Sequence, residues 1–316
     1  MADPTDPTDA TDATDPPGPT PSARHLAAFE EQRPRLWGIA YRILGLVSDA
    51  EDAVQEAWLR WQALPDGEVA DPRAYLTTVI SRICYDQLGS ARARRERYVG
   101  PWLPEPVLTA DDTTGPEDRV TLDESVGFAL LTVLERLTPA ERTAFVLHDV
   151  FAVPFPEIAE AVGRTPDSVR QLASRARKRV RAEAPRRSVD RGEHRRAVDA
   201  FLTAAVEGDF DGLLKVLDPG VVWRSDGGGK AVAARVPIHG AEQVARFAQR
   251  LARGLGQGAA VRMSVRDVNG APGLVFVDPV EGQVTVFAFT VHNGLITEVA
   301  AVVNPDKLSH LDPNQL

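Results

Sequence analysis

Residues 155–181 read FPEIAEAVGRTPDSVRQLASRARKRVR, and this stretch decides the fold of the middle of the chain. Ile158, Ala159 and Val162 recur at helical spacing and make the apolar face of a short helix. Gly163 stands where a left-handed C-cap is wanted. Thr165 can cap a second helix, with Pro166 at its first position and Asp167 beside its positive end. Val169, Leu172, Ala173, Ala176 and Val180 then face inward. Arg170, Gln171, Ser174, Arg175, Arg177 and Lys178 are left facing out. This is the helix-turn-helix pattern, whose second helix enters the major groove of DNA.

Side-chain chemistry divides the work on that outward face. Arginine bonds a guanine edge bidentately and glutamine an adenine edge, so Arg170, Gln171 and Arg175 are candidates for reading bases. Thr165, Ser168, Arg177 and Lys178 suit phosphates and set register, with Ser174 beside them. A merely solvated basic helix would carry the arginines without the caps and the turn glycine.

The charge distribution agrees. The net charge of −9 argues by itself against a nucleic-acid partner. Yet residues 164–187 hold nine Lys and Arg against two acids, and residues 73–97 hold six Arg against two acids. Residues 1–23 carry five Asp and no base, and residues 102–126 carry seven acids and one base. A DNA binder needs positive potential where phosphates approach, not a positive total. The single cysteine, Cys84, excludes a disulfide framework or a multi-cysteine metal site. No apolar run of membrane-spanning length and no secretory signal is present, and no metal or cofactor motif is visible. A cytoplasmic protein without a cofactor is expected.

Periodicity divides the chain into parts. Residues 1–23 are low-complexity Asp/Pro/Thr and are expected to be disordered. Residues 24–98 are helical, with Ser48 and Glu51 spaced as a capping box. Val54, Ala57, Trp58, Trp61 and Leu64 share one face of the helix that follows. Asp52, Gln55, Glu56 and Leu59 share the opposite stripe. After Asp71-Pro72 another helix aligns Leu76, Val79, Ile80, Ile83 and Leu88. Residues 99–126 lack a period and read as a flexible acidic linker. Helical patterning resumes over 127–187, with a second capping box at Thr138 and Glu141. From 193 to 316, helices are followed by four strands, with Asn293-Gly294 as a hairpin turn, which indicates an α+β domain.

At this point the chain resembles an extracytoplasmic-function sigma factor of the sigma-70 family. Ser48 to Leu64 (SDAEDAVQEAWLRWQAL) is similar to the segment that docks on the β′ clamp helices of core RNA polymerase. Leu137 to Arg181 is similar to the domain that reads the −35 promoter element. The resemblance implies polymerase contacts at Asp52, Gln55, Glu56 and Leu59, although an acidic solvated face fits the same stripe. It implies −10 contacts at Arg73, Tyr75, Arg82 and Asp86, with Arg92, Arg94 and Arg95 along the phosphates. Unpaired bases need stacking surfaces and polar edges, which Tyr and Arg supply. Tyr75 and Tyr85 fit equally as half-buried packing aromatics.

A narrower resemblance rests on three short motifs: Trp102-Leu103-Pro104-Glu105-Pro106, Asp226-Gly227-Gly228-Gly229-Lys230, and Asn304-Pro305-Asp306-Lys307-Leu308. They match a subgroup with a fused SnoaL-like domain of the NTF2-like cone fold. The expected fold is therefore multidomain: two all-α sigma domains followed by an α+β SnoaL/NTF2-like cone. The subgroup lacks a dedicated anti-sigma factor, and the fused domain modulates activity. The glycine run is no phosphate loop, because Arg224 and Ala231 stand where Gly and Ser/Thr are required. We expect the linker to pack on the C-terminal domain through Trp102, Pro104 and Glu105, with Asp226, Lys230, Asp306 and Lys307 near the contact. Two rivals are a ligand-responsive helix-turn-helix regulator, and an enzyme using His239 or His292 in a pocket lined by Trp223, Phe287 and Phe289. No acid–base pair supports catalysis, so a non-enzyme is expected.

Overall fold

The structure, a computed structural model, describes residues 23–65, 67–95, 98–109, 127–183, 190–256, 261–280 and 282–316. The expected acidic tail lies outside the described residues, apart from Ala23.

Three helices open the chain: α1 (Ala23–Leu44), α2 (Val47–Gln62) and α3 (Pro72–Arg95). Asp71 caps α3, its carboxylate accepting from the Ala74 amide at 3.1 Å. A strap follows and ends in the short strand β1 (Leu108–Thr109). The second helical domain contains α4 (Phe128–Leu134), α5 (Pro139–Phe145) with a π-helical continuation over Val146–Val150, α6 (Phe155–Val162) and α7 (Pro166–Glu183). Its capping box forms as expected: Thr138 caps α5 and Glu141 returns the bond. Gly163 ends α6 in the left-handed conformation, at φ 63°.

Two helical domains held apart by a flexible linker were expected, and the structure corrects this. Ile43, Leu76 and Ile80 of the first domain belong to one continuous core with Val146, Leu147 and Ile158 of the second. Each domain has apolar surface beyond what its own three or four short helices cover, and burying it jointly removes it from water. The other correction concerns α2. Its N-cap is Leu46 and no side chain of the helix caps it, so the Ser48–Glu51 box does not form. The carboxylate of Glu105, from the strap, accepts from the Val47 amide at 2.8 Å instead.

The C-terminal domain contains α8 (Arg191–Glu207), α9 (Phe210–Val216), β2 (Leu217–Asp226), β3 (Ile238–His239), α10 (Ala241–Gly256), β4 (Arg262–Val268), β5 (Ala271–Val277), β6 (Val284–His292) and β7 (Leu295–Val302). The sheet order is β1-β4-β5-β6-β7-β2-β3, antiparallel except where β2 runs parallel to β7. Asn293-Gly294 turns β6 into β7 as expected, and Asn269-Gly270 does the same between β4 and β5, all four residues at positive φ. Alternation gives the sheet two buried faces. Leu274, Trp223, Phe287 and Phe289 form one core with residues of α8 and α10. Val275, Val286, Ala288 and Val302 form the other, which is completed by Leu103 of the strap, Phe128 of α4 and Leu308.

Candidate functional site

The recognition helix α7 presents Arg170, Gln171, Ser174, Arg175 and Lys178 to solvent, as expected from its spacing, with Thr165 exposed at its start. Thr165 caps the helix through the Ser168 amide at 3.3 Å. Arg170 ion-pairs with Asp167 on the same exposed face, a contact that water and salt screen. Arg177 departs from the expectation. It is half-buried and paired with Asp149, so its first task is to tie α7 to the π-helical turn. Glu141 similarly receives Arg179 at 2.8 Å and Arg175 at 3.4 Å. Burial alone would raise the Glu141 carboxyl. The Thr138 hydrogen bonds and the two guanidinium groups outweigh that and lower it. Arg175 remains 60 % exposed, so its far end is available to a base edge.

On the first domain, Asp52, Gln55 and Leu59 are exposed on α2 and Glu56 is half-exposed, paired with Arg60. Leu59 is 51 % exposed, an apolar side chain in the middle of an otherwise polar stripe. Along α3, Arg73 and Asp86 are exposed. Tyr75 packs against the core with its ring 5.9 Å from Trp61, and Tyr85 is also half-buried, so both serve as packing aromatics here. Arg82 does not face open solvent alone. It donates to the Glu160 carbonyl of α6 at 3.2 Å and lies 3.6 Å from that residue's carboxylate. The side chains of Arg92, Arg94 and Arg95 lie outside the described residues.

The strap gathers the third set of expected residues into one buried latch. Asp226, at the end of β2, is fully buried. Its carboxylate accepts from the Leu103 amide at 2.8 Å, the Tyr98 hydroxyl at 2.5 Å and the Lys307 ammonium at 2.8 Å. Lys307 also donates to the Leu103 carbonyl and sits 3.7 Å from the centre of the Trp102 ring. A buried ion pair of this kind is stable only because every remaining valence is satisfied, here by the strap. Tyr98 additionally accepts from Asn304 at 2.7 Å. Burial, then the Asp226 carboxylate, push the Tyr98 phenol well above its ordinary value. A Cβ at Gly228 would stand 2.4 Å from the Asn304 amide and 2.9 Å from the Tyr98 hydroxyl, so only glycine allows the loop to approach the strap. Lys230 and Asp306 pair with each other at 2.6 Å on the rim.

The other side of the strap grips the helical domains. Pro104 and Glu105 are buried. The Glu105 amide donates to the Gly45 carbonyl at 2.9 Å, and its carbonyl accepts from Tyr41 at 2.7 Å. His310 reaches the Glu105 carboxylate at 2.7 Å and the Pro106 carbonyl at 3.1 Å. Gly45, at φ +80°, marks a junction. A Cβ there would meet Glu135 at 2.8 Å, Trp102 at 3.0 Å and Arg142 at 3.2 Å, from the second helical domain and the strap. Finally, β1 pairs with the edge strand β4, and Asn269 holds Val107 and Tyr41 through its side chain.

The linker is thus ordered over its described part, against the expectation of flexibility. Sequence reasoning also missed Tyr98, Tyr41, Gly45, Asn269, Asn304 and His310 as latch residues. Asn304 lies inside a motif that had been singled out. The others carry no local signal, because their partners are far away in sequence.

The enzyme reading placed a pocket in this domain's interior. Trp223 fills it, edge-on to Phe247 and Phe287 with ring centres 5.1 and 5.7 Å away, and its indole nitrogen donates to Ser225 at 2.8 Å. His239 is exposed on β3, opposite Val222.

A basic helix-turn-helix, a second arginine-bearing helical domain with an exposed polar stripe, and an α+β domain strapped across both define the class of promoter-recognition proteins. Residues 28–94 match the model for Sigma-70 region 2, and residues 127–180 match that for Sigma-70, region 4. The chain is 44% identical over 291 residues to the ECF RNA polymerase sigma factor SigJ of Mycobacterium tuberculosis, covering 90% of this chain and 93% of that one. It is 38% identical to the probable ECF RNA polymerase sigma factor SigI of the same species, covering 91% and 94%. The crystal structure of the Mycobacterium tuberculosis SigJ aligns with a TM-score of 0.73 at 41% identity, over 90% of this chain and 98% of that one. The chain belongs to the extracytoplasmic-function sigma factors, whose domains bind core RNA polymerase and promoter DNA. Its architecture has the expected order, two helical sigma domains followed by an α+β domain.

Proposed function

We propose that this sigma factor is held closed by its own C-terminal domain, and that docking on the polymerase precedes opening. The observation that carries this reading is the strap, which is buried in the C-terminal domain while it caps α2 and bonds the α1–α2 turn. In the same arrangement α6 rests on α3 at Arg82, a residue assigned to the −10 element. The −35 and −10 elements are named for positions about 25 base pairs apart, roughly 85 Å of duplex at about 3.4 Å per base pair. Domains that share one core do not span that distance, so α3 and α7 have to part before both elements are read.

The stripe of Asp52, Gln55, Glu56 and Leu59 stays accessible in the closed arrangement. A partner helix carrying basic groups, as on the β′ clamp, therefore engages first. Arg73, Asp86 and, once freed, Arg82 then meet the −10 strand, while Arg170, Gln171 and Arg175 meet the −35 element. On this reading the fused domain replaces a dedicated anti-sigma factor, acts without catalysis, and works in the cytoplasm beside the polymerase. No helix among the described residues is long and apolar enough to cross a membrane.

The test is transcription in vitro with the purified chain, core RNA polymerase and a candidate promoter. Specific initiation is expected, and it should change when the chain is truncated near Arg191. Failure to initiate with core polymerase would favour a duplex-binding regulator and sink the sigma reading. Unchanged promoter binding and transcription after truncation would sink the closed-state reading alone.

A further inference from the structure

A cavity of about 350 Å³ lies between the strap and the glycine loop, and neither promoter binding nor the latch uses it. One wall is the strap, at Val99 and Gly100. The rest is the C-terminal domain, from Ser225 round the loop to Arg235. Its lining includes two cations, Lys230 and Arg235, and no carboxylate. Asp306 engages Lys230, but the two side chains are 57% and 61% exposed, so water screens that pair and it yields to a competing anion. Arg235 is exposed and has no carboxylate partner among the described residues. Ala233 and Val99 pack where a Cβ at Gly227 or Gly229 would stand, so glycine at both positions lets the loop and the strap close round the space. Val99, Val232 and the three alanines at 231, 233 and 234 give an apolar wall, and Ser225 adds one hydroxyl. The volume is in the range of small-molecule sites, which combine apolar walls with a few convergent polar groups.

We propose that this cavity binds a small anion-headed metabolite, its phosphate or carboxylate group between Arg235 and Lys230 and its body against Val99 and the alanines. Arginine and lysine form charge-assisted bonds with both head groups. Because one wall belongs to the strap, the complete site exists only while the strap is docked. Binding is therefore coupled to the closed state, and by reciprocity the ligand holds the strap down. The proposal adds a ligand to the closed-state reading above, and its test leaves that reading separately decidable.

Calorimetry on the full chain uses inorganic phosphate, ribose 5-phosphate and acetate, with ribose as the uncharged control. At least one anion should bind saturably and ribose should not, and the strongest arm identifies the head group. Arg235→Ala should weaken binding about tenfold, the factor that goes with about 1.4 kcal/mol. Arg235→Lys should retain part of it, and Arg253→Ala, on the exposed face of α10, should change nothing. Trp102→Ala, which loosens the strap, should weaken the anion as well, and the bound anion should slow amide exchange at 98–103. Absence of saturable anion binding, or binding indifferent to both Arg235→Ala and Trp102→Ala, overturns the proposal. Strap protection measured without any anion tests the closed state on its own.

Discussion

The two helical domains meet through an apolar seam, whereas the C-terminal domain joins them through a seam that adds a buried ion pair to its apolar contacts with Leu103 and Phe128. The first is a shared core around Ile43, Leu76, Ile80, Val146 and Ile158. The second centres on Asp226 and Lys307, both buried, with Tyr98, Leu103 and Trp102 around them. Apolar contact is non-directional and loses strength in proportion to the area exposed. A buried ion pair is conditional: complete, it holds one geometry, and with a partner gone it leaves an uncompensated charge. The strap therefore suits a switch with two states, and the apolar seam suits a surface that parts once the strap has gone.

The largest test of that contrast removes Asp226. Asp226→Ala strands the Lys307 ammonium, at a cost of about 3–5 kcal/mol to strap docking. Hydrogen exchange should show amides 98–107 losing protection while α1, α2 and the helix-turn-helix keep theirs. Protection that persists in the strap would show that the charged seam does not hold it. Next, Arg175→Ala should lower transcription from a promoter with a −35 element roughly 10- to 100-fold, since one bidentate base contact is worth about 1–3 kcal/mol. The same variant on a template lacking that element should read as wild type. If it falls equally on both templates, Arg175 grips backbone and not bases.

Smaller effects are expected at the docking stripe. Glu56→Ala should weaken association with core polymerase by about fivefold, near 1 kcal/mol, measured by competition against a labelled sigma factor. A variant with undiminished affinity would return the stripe to the status of a solvated face. The smallest effect is one of pH. Burial, with the nearby Arg191 charge, lowers the His194 imidazole below its ordinary value, against the pull of the Pro272 carbonyl and Asp267. Its folded pKa is thus depressed, and the unfolded chain binds more protons. Stability is fully present above about pH 6.5 and is lost as pH falls through the histidine range. The melting temperature of the C-terminal domain should fall accordingly below about pH 6. His194→Gln should flatten that dependence, and a dependence that survives it would assign the effect to another group.

Much of this was legible from local pattern. Gly163, Thr165 and the Thr138–Glu141 box mark helix ends through bonds that close within five residues, and each forms as read. Asn293-Gly294 turned the chain as read because a two-residue hairpin is likewise local. Ser48 failed for the opposite reason. The helix starts earlier than the box requires, at Val47, whose amide is held by a carboxylate from residue 105. Arg177 looked like a phosphate ligand, because nothing near it in sequence announces Asp149. The linker looked flexible because the backbone groups of Leu103 and Val107 have partners more than 100 residues away, at Asp226, Lys307 and Asn269.

Amino-acid order alone determined the helices, the caps at Gly163, Thr165 and Thr138, the basic faces and the three short motifs, since spacing and side-chain chemistry act over a turn or two. Only the tertiary structure decided which atoms join those motifs, that the helical domains share one core, and that the exposed Arg82 bonds Glu160 of its neighbour. Long-range burial and charge pairing depend on which surfaces meet, and no local spacing encodes that.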